Sequence, residues 1–196
     1  MRTLTSSVKV RNGNRNLEQT TEMDTHYLAS LFTPETVALF GASDREDSVG
    51  GVVFKNLLTS GFEGRIYAIN PKRDEIQGQR AFSSLDEIED SIDLAVVATP
   101  ARGIPDIVEA CGEHGIRMML ILSAGFRETG VEGRKLEDQV VQLAKRHDIR
   151  LMGPNCLGII RPDKGLNITF GNNDAEPGSL ALVSQSGAIC TAILDW

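Results

Sequence analysis

The sequence has few of the residues that build disulfide frameworks or metal sites. Its 196 residues include three histidines that lie far apart and three cysteines, Cys111, Cys156 and Cys190, without a C-x-x-C spacing. An odd, scattered set of cysteines is typical of reduced thiols in a cytoplasmic protein. No histidine lies four residues from another or next to a cysteine, so the sequence predicts no metal site.

The sequence also lacks a net positive charge and a long apolar run, which argues against nucleic acid and membranes as partners. With 20 basic and 27 acidic residues, the formal net charge is −7, so broad attraction to nucleic acid or to an anionic membrane is not expected. No apolar run approaches the roughly 20 residues of a membrane-spanning helix. The remaining composition, 41% hydrophobic and 24% charged, is typical of a globular domain. An anionic ligand would therefore need a dedicated site.

Residues 1–27 are predicted to form a flexible leader. They show no apolar periodicity, and their four basic residues precede the first acidic one, which faintly resembles a transit peptide. The absence of a hydrophobic or amphipathic stripe favours a disordered leader on a cytoplasmic protein. The fold is therefore expected to begin at about residue 28.

Residues 28–160 alternate between short apolar runs and longer helical patterns. The apolar runs predict five buried strands, "TVALFGAS", "GRIYAINP", "DLAVVATP", "IRMMLILSAGF" and "IRLMGPN". The stretches between them predict helices, among them "VGGVVFKNLLTSG", "IPDIVEACGEHG" and "GVEGRKLEDQVVQLAKRHD". This alternation implies right-handed crossovers and a parallel sheet covered on both faces. We predict an α/β fold with a Rossmann-like doubly wound parallel sheet.

The rhythm changes after Asn155. Residues 161–177 are rich in Gly, Asn and Pro and are predicted to be connecting loops with short strands. Residues 178–196, "GSLALVSQSGAICTAILDW", predict a buried strand "LALV", a Ser/Gly turn and an apolar helix. They are interpreted as the first strand and helix of a truncated second α/β domain. Because this helix stops in mid-pattern without a cap, the chain is expected to be the N-terminal part of a longer protein.

The predicted strands all end in small, polar or helix-breaking residues. Ligands of doubly wound sheets bind outside the carboxyl ends of the strands, so these residues predict a binding site. The helix that begins near Val49 and Gly50 would present free N–H groups and a positive dipole end to an anion. The strand-end residues are Gly41, Ala42, Ser43, Asn70, Pro71, Lys72, Thr99, Pro100, Ser123, Ala124, Gly125 and Asn155.

The loop "GASDREDSVGG" lacks the G-x-G-x-x-G spacing of dinucleotide-binding domains. The second strand ends in "INPKR", which places Lys72 and Arg73 where such domains carry an acidic residue that binds the ribose. A cation suits a phosphorylated ribose, as in coenzyme A or NADP. Three hypotheses stay open on these residues: a CoA-binding module, an NAD(P)-binding dehydrogenase domain, and a regulatory module that senses CoA or acyl-CoA.

The motifs "GAS…SVG", "INPK", "ATP", "LSAGF", "GPNCLGI", "GLN" and "SLALVSQSGA" follow one another in this order, within a resemblance that covers about residues 31–196. They resemble the CoA-binding domain of the NDP-forming acyl-CoA synthetases, a superfamily that includes the succinyl-CoA synthetase alpha subunit. The same domain occurs in bacterial protein lysine acetyltransferases that carry a GNAT domain. The resemblance implies coenzyme A or acyl-CoA as cofactor, an ATP-grasp subunit or domain as partner, a possible homo-oligomer, and a flavodoxin-like second domain from residue 178.

The resemblance also implies a reaction and a site. The parent reaction converts acyl-CoA, NDP and phosphate to acid, CoA and NTP through a phosphohistidine, and this chain alone is expected to bind without turnover, with no catalytic residue. The adenosine diphosphate part of CoA would be lined by Gly41, Ala42, Ser43, Ser48, Val49 and Gly50. Phosphate would be neutralised by Lys72, and the adenine and pantetheine path would be bordered by Thr99 and Pro100.

The rest of the implied site follows the pantetheine arm. Ser123, Ala124 and Gly125 would guide the arm, and Asn155 would lie near the thiol, held by Pro154. Cys156 has no identifiable His partner and is interpreted as a packed thiol. The turn "SQSGA" offers phosphate-binding candidates, with a simple helix cap as the alternative: Ser184, Ser186 and Gly187. Because Gly50 is expected to face the diphosphate, Gly50→Val is expected to reduce CoA binding far more than stability.

Overall fold

A computed structural model describes residues 23–171 and 174–195 of the chain. Most of the predicted leader, residues 1–22, lies outside the described residues, as do residues 172–173 of the predicted connecting loops and Trp196. The first described element is helix α1, Met23–Phe32. Among the described residues, no helix combines the length and the apolar character that crossing a bilayer requires.

Seven strands form the main sheet, in the order β3-β4-β2-β1-β5-β6-β7. All neighbours pair in parallel except β3 and β4. Without β3, this is the 3-2-1-4-5-6 order of the dinucleotide-binding folds, so the predicted doubly wound sheet is confirmed. The strands are β1 (Thr36–Phe40), β2 (Arg65–Ile69), β3 (Glu75–Ile76), β4 (Gln79–Phe82), β5 (Leu94–Val97), β6 (Met118–Ile121) and β7 (Arg150–Met152).

The helices that follow α1 are α2 (Val49–Thr59), α3 (Ile104–Glu113) and α4 (Val131–Arg146). Helix α2 packs its apolar side on one face of the sheet, together with Leu31 of α1, and α3 and α4 pack on the other. The predicted ends of the first two helices are confirmed, since Gly61 and Gly115 follow them with φ values of 85° and 73°. Pro105 lies in the first turn of α3, where its missing N–H costs no helical hydrogen bond.

The central strands are buried on both faces. In β1, Val37 and Leu39 join the apolar cluster on the α2 side, whereas Ala38 and Phe40 join the cluster on the α3 and α4 side. Successive side chains of a strand point to opposite faces, so a strand between two helical layers is apolar at every position. The unbroken apolar run "VALF" has this cause.

The hairpin of β3 and β4 at the edge of the sheet was missed by sequence reasoning. Its two strands contribute only Ile76 and Ala81 to the core, and the rest of "EIQGQRAF" is polar or partly exposed. The strands are joined at Gln77 and Gly78, with φ values of 49° and 74°. Positive φ at both positions is the signature of a two-residue type I′ turn, for which "QG" was the available signal.

A second hairpin packs against helix α2. Its strands are β8 (Gly158–Arg161) and β9 (Leu166–Thr169), joined by a 3₁₀ turn. Strand β9 falls within the predicted connecting loops, yet Leu166 and Ile168 belong to the core on the α2 side. The amide of Asn56 on α2 donates to the carbonyls of Thr169 and Gly171 at 2.8 and 2.9 Å. The hairpin is thus a covering element of the sheet domain.

The predicted buried strand "LALV" is wrong for the described structure. Residues 180–183 form no strand, and Leu180 and Val183 are 98% and 97% exposed. A strand becomes buried only against a neighbouring strand and a covering layer, and no described residue pairs with this segment. The helix predicted after it does form, as α5 (Gly187–Leu194).

Candidate functional site

The loops after β1, β5 and β6 meet at one edge of the sheet. The amide of Ala98 donates to the carbonyl of Phe40 at 2.9 Å, and the amide of Leu122 donates to that of Val97 at 3.0 Å. Strand order reverses between β1 and β5, because β1 continues to β2 on one side and the chain later returns to its other side. Ligands of this architecture bind in the crevice at that reversal. This crevice is the candidate site.

Two glycines bring the backbones around the crevice into close contact. Gly41 has a φ of 89°, and a Cβ there would lie 2.8 Å from the carbonyl oxygen of Ala98. A Cβ on Gly50 would lie 1.9 Å from the carbonyl oxygen of Gly41. Gly50 therefore faces the protein backbone, and the expectation that its missing side chain leaves room for diphosphate is wrong. Because Gly50 has no side chain, α2 can approach the end of β1 closely.

The start of α2 is capped by Ser48. Its hydroxyl accepts from the amide of Gly51 at 3.1 Å and donates to the carbonyl of Arg45 at 2.8 Å. The amides of Val49 and Gly50 belong to the first turn, where backbone N–H groups have no intrahelical acceptor. These two N–H groups and the positive end of the helix dipole can bind an anion.

The residues after β2 hold the loop from the other side. The Asn70 side chain donates to the carbonyl of Ala42 at 2.9 Å and accepts from the amide of Lys72 at 2.9 Å. Pro71, Lys72 and Arg73 are exposed. Within the described part of the chain, the ammonium of Lys72 forms no ion pair. Asn70 thus fixes the loop, and Lys72 is a cation without a counter-ion in the part of the chain that the structure describes.

Thr99 carries a buried hydroxyl that has no hydrogen-bond partner among the described residues. The residue lies beside the strand reversal, since its Cγ2 would be 3.0 Å from a Cβ on Gly41. The neighbouring carbonyl of Thr99 is occupied, because the Ser123 hydroxyl donates to it at 2.6 Å. An unsatisfied buried hydroxyl is costly, so Oγ1 of Thr99 suits a polar group of a ligand.

Ser123 also connects to the loop after β7. Its carbonyl accepts from the amide of Asn155 at 3.0 Å, and Asn155 has a φ of 53°. The adjacent thiol of Cys156 donates to the carbonyl of Ile121 at 3.4 Å, and burial raises its pKa. A protonated, hydrogen-bonded thiol is a poor nucleophile, which agrees with a packing role for Cys156. Ser123 therefore links the loops after β5, β6 and β7.

Comparison with known proteins identifies the domain. A family model described as a CoA binding domain matches residues 35–162. The chain belongs to the CoA-binding domain family. Coenzyme A is accordingly the cofactor of this domain, and the family assignment favours it over the NAD(P) hypothesis.

The relatives of this CoA-binding domain include ligases and one solved synthetase. The chain is 42% identical to the alpha subunit of ADP-forming acetate–CoA ligase I from Pyrococcus furiosus, covering 86% of this chain and 37% of that protein. It is 44% identical to ADP-forming acetate–CoA ligase from Methanocaldococcus jannaschii, covering 83% and 22%. The structure of the dinucleotide forming acetyl-coenzyme A synthetase 1 of Ca. Korarchaeum cryptofilum, in complex with phosphate and ADP, matches with a TM-score of 0.81 and 34% identity, over 86% of this chain and 36% of that one.

The loop after β6 of the CoA-binding domain contains a contact that the sequence did not reveal. The amides of Gly125 and Phe126 both donate to one carboxylate oxygen of Glu128, at 2.5 and 3.1 Å. The hydrogen bond from the amide of Gly125, helped by weaker ones from the amides of Glu128 and Phe126, lowers the pKa of Glu128 against the opposing effect of burial. Gly125 has a φ of 109°, and Phe126 is fully buried. Glu128 therefore closes the loop that contains Ser123 and Ala124.

Glu128→Gln is expected to change how stability depends on pH. A carboxyl group whose pKa is lowered in the folded state stabilises the fold above its ordinary value of 4.5, and this contribution is lost as the pH falls through the lowered pKa. The variant and the wild type should therefore differ at neutral pH and converge in acid, which thermal unfolding at a series of pH values measures. Glu132→Gln, at an exposed carboxylate, is the control. A difference that stays constant with pH would contradict the assignment.

The phosphate candidates of the "SQSGA" turn lie at the start of α5. The Ser186 hydroxyl caps the helix by accepting from the amide of Ile189 at 3.4 Å, and Ser184 Oγ accepts from the amide of Ser186 at 3.0 Å. A Cβ on Gly187 would lie 3.7 Å from the Cβ of Leu157, two residues beyond Asn155. The turn thus forms a helix cap, and it lies close to the loop after β7.

Proposed function

We propose that this chain is the CoA-binding part of an NDP-forming acyl-CoA synthetase, which converts acyl-CoA, NDP and phosphate to acid, CoA and NTP. The observation that carries the proposal is the crevice at the strand reversal, beside which Lys72, with no ion pair among the described residues, replaces the acid of dinucleotide-binding domains. Two relatives that bear the name ADP-forming acetate–CoA ligase support it. Since the chain spans only 37% and 22% of those relatives, the activity belongs to a longer protein or assembly.

The phosphates of CoA are assigned to the loop between β1 and α2. The amides of Val49 and Gly50 would bind the diphosphate at the helix start, within the loop that Gly41, Ala42, Ser43 and Ser48 shape. Lys72 would neutralise a phosphate, and Asn70 and Pro71 would hold it beside the loop. At one edge of the sheet, a helix start and an ammonium that no described carboxylate pairs with would provide the attraction that a chain with a net charge of −7 otherwise lacks.

The remaining residues are assigned to the adenine and to the pantetheine arm. Thr99 and Pro100 would border both, and the arm would pass Ser123, Ala124 and Gly125 toward Asn155. When bound, CoA supplies the thiol that carries the acyl group. The protein residues bind and orient it, and the closed loops after β5, β6 and β7 would keep its path fixed. Ser184, Ser186 and Gly187 are assigned to a phosphate near the thiol end.

An ATP-grasp module is proposed as the partner that supplies the nucleotide site. The name of the Pyrococcus furiosus relative, a subunit alpha, supports an enzyme whose parts are distributed over more than one chain. We also place the protein in the cytoplasm, because its three cysteines are free thiols, which suit a reducing compartment.

Thr99→Val is expected to separate ligand binding from stability. Valine keeps the shape of threonine and removes the unpartnered hydroxyl, so the free protein should become more stable, by about 1 kcal/mol. The affinity for CoA should fall about tenfold, because the ligand loses one hydrogen bond. Chemical denaturation without ligand and calorimetric titration with CoA measure the two effects.

The control for Thr99 is Thr169→Val. Its hydroxyl is also buried, but it donates to Oδ1 of Asn167 at 2.8 Å. Its loss should lower stability and leave the affinity for CoA unchanged. If both variants lose stability and neither loses affinity, Thr99 has no contact with CoA.

The synthetase activity is tested with the full-length gene product. It should release CoA from acetyl-CoA, or from another acyl-CoA ester, only when NDP and phosphate are both present, and NTP should appear in equal amount. Release without NDP or phosphate, or the absence of NTP with every ester, would contradict the proposal and favour a sensing module.

A further inference from the structure

The side chain of Gln77 contacts the loop between β1 and α2 from outside the predicted site. Gln77 lies in the turn between β3 and β4, and its side-chain amide donates to the carbonyls of Ser43 and Gly51, both at 2.9 Å. Its backbone amide donates to the carboxylate of Asp44 at 2.8 Å. One residue thus holds three points of the loop between β1 and α2.

The two carbonyls that Gln77 binds lie on opposite sides of the loop. Ser43 follows the end of β1, and Gly51 lies in the first turn of α2. Both N–H bonds of one planar amide are used, so the amide fixes the separation between the strand end and the helix start. That separation determines where the amides of Val49 and Gly50 point.

The backbone conformation of Gln77 is unfavourable for a residue with a side chain. Its φ of 49° lies in the left-handed region, which glycine adopts without cost and which a residue with a Cβ adopts at a cost. A turn alone would be served better by glycine. The strain at Gln77 is offset by contacts that only a long amide side chain can make.

We propose that Gln77 is a positioning residue of the CoA site. Its amide group bridges Ser43 and Gly51, so that the N–H groups at the start of α2 are held in place before the ligand arrives. The inference rests on the proposed assignment of the CoA diphosphate to this loop. Gln77 would act through the loop and not by direct contact with the ligand.

Gln77→Gly tests this role without damaging the turn. Glycine relieves the strain at a φ of 49°, and this gain offsets the loss of both bonds to the loop, so the melting temperature should change little. The affinities for CoA and for 3′-dephospho-CoA should fall by the same factor, about tenfold, because both ligands share the diphosphate. The backbone amide resonances of residues 43–51 should shift in the free variant.

Two further variants complete the test. Gln77→Glu places a carboxylate against two carbonyl oxygens. It should lower the affinity for both ligands more than Gln77→Gly does. Gln79→Ala, at an exposed position of β4 in the same hairpin, should bind like the wild type.

Three outcomes would overturn the inference. Wild-type affinity in Gln77→Gly would refute the role of Gln77 and leave the proposed function intact. A loss confined to CoA would place the effect on the 3′-phosphate and would refute positioning of the diphosphate loop. If the wild type itself binds neither ligand, the proposed function fails, and this inference fails with it.

Discussion

Gly50→Val is expected to destabilise the folded chain by about 3 kcal/mol or more, at or above the upper end of the usual cost of overpacking a core. The first added carbon would lie 1.9 Å from the carbonyl oxygen of Gly41, and a backbone oxygen cannot rotate away as a side chain can. Binding of CoA should fall together with stability, because the start of α2 must move away from β1. Urea denaturation of the free protein and titration with CoA measure both.

The matched control for Gly50 is Gly103→Val. Gly103 has a φ of −88°, and a Cβ there would meet nothing within 4 Å. This variant should change stability little. If Gly50→Val instead unfolds at the same urea concentration as the wild type and loses only CoA binding, its side chain faces the ligand and the packing account is wrong.

Lys72→Ala is expected to weaken CoA binding about ten- to a hundredfold. A charge-assisted contact to phosphate contributes roughly 1.5–3 kcal/mol, and the exposed ammonium of Lys72 has no competing ion pair among the described residues. The stability of the free protein should not change, because the side chain has no buried contact to lose. Titration with CoA and with 3′-dephospho-CoA distinguishes the phosphate concerned. An equal loss for both places Lys72 on the diphosphate, and a loss confined to CoA places it on the 3′-phosphate.

Lys135→Ala is the control for the charge itself. Lys135 lies on α4 in an exposed pair with Glu132 at 2.7 Å, and attraction from a distant surface charge is screened within about 8–10 Å in physiological salt. The control should bind CoA like the wild type. If the two alanine variants bind CoA with equal affinity, Lys72 does not contact the ligand. The main residue-level argument for a phosphorylated ribose would then be lost.

The sheet was predictable from the sequence because a strand that is buried on both faces consists of consecutive apolar residues. Four of the five residues of "TVALF" are apolar and all five are buried, and Gly61 and Pro105 lie at helix ends where backbone chemistry favours them. The strand ends followed from the same pattern, which is why the candidate crevice could be located without coordinates.

The errors have a common physical cause, since they concern contacts between distant parts of the chain. The apolar character of "LALV" did not predict burial, because burial depends on a neighbouring strand that the described residues do not provide. Gly50 was expected to face a ligand, but its neighbour is Gly41 across the loop. Gln77 and Glu128 bind backbone groups whose positions no sequence period encodes.

Calorimetric titration of the chain with CoA, desulfo-CoA and NADH tests the central claim most directly. The account predicts saturable binding of one CoA per chain, similar binding of desulfo-CoA because it keeps every phosphate, and no binding of NADH at the same concentrations. Absence of heat with CoA, or binding of NADH as tight as that of CoA, would contradict it.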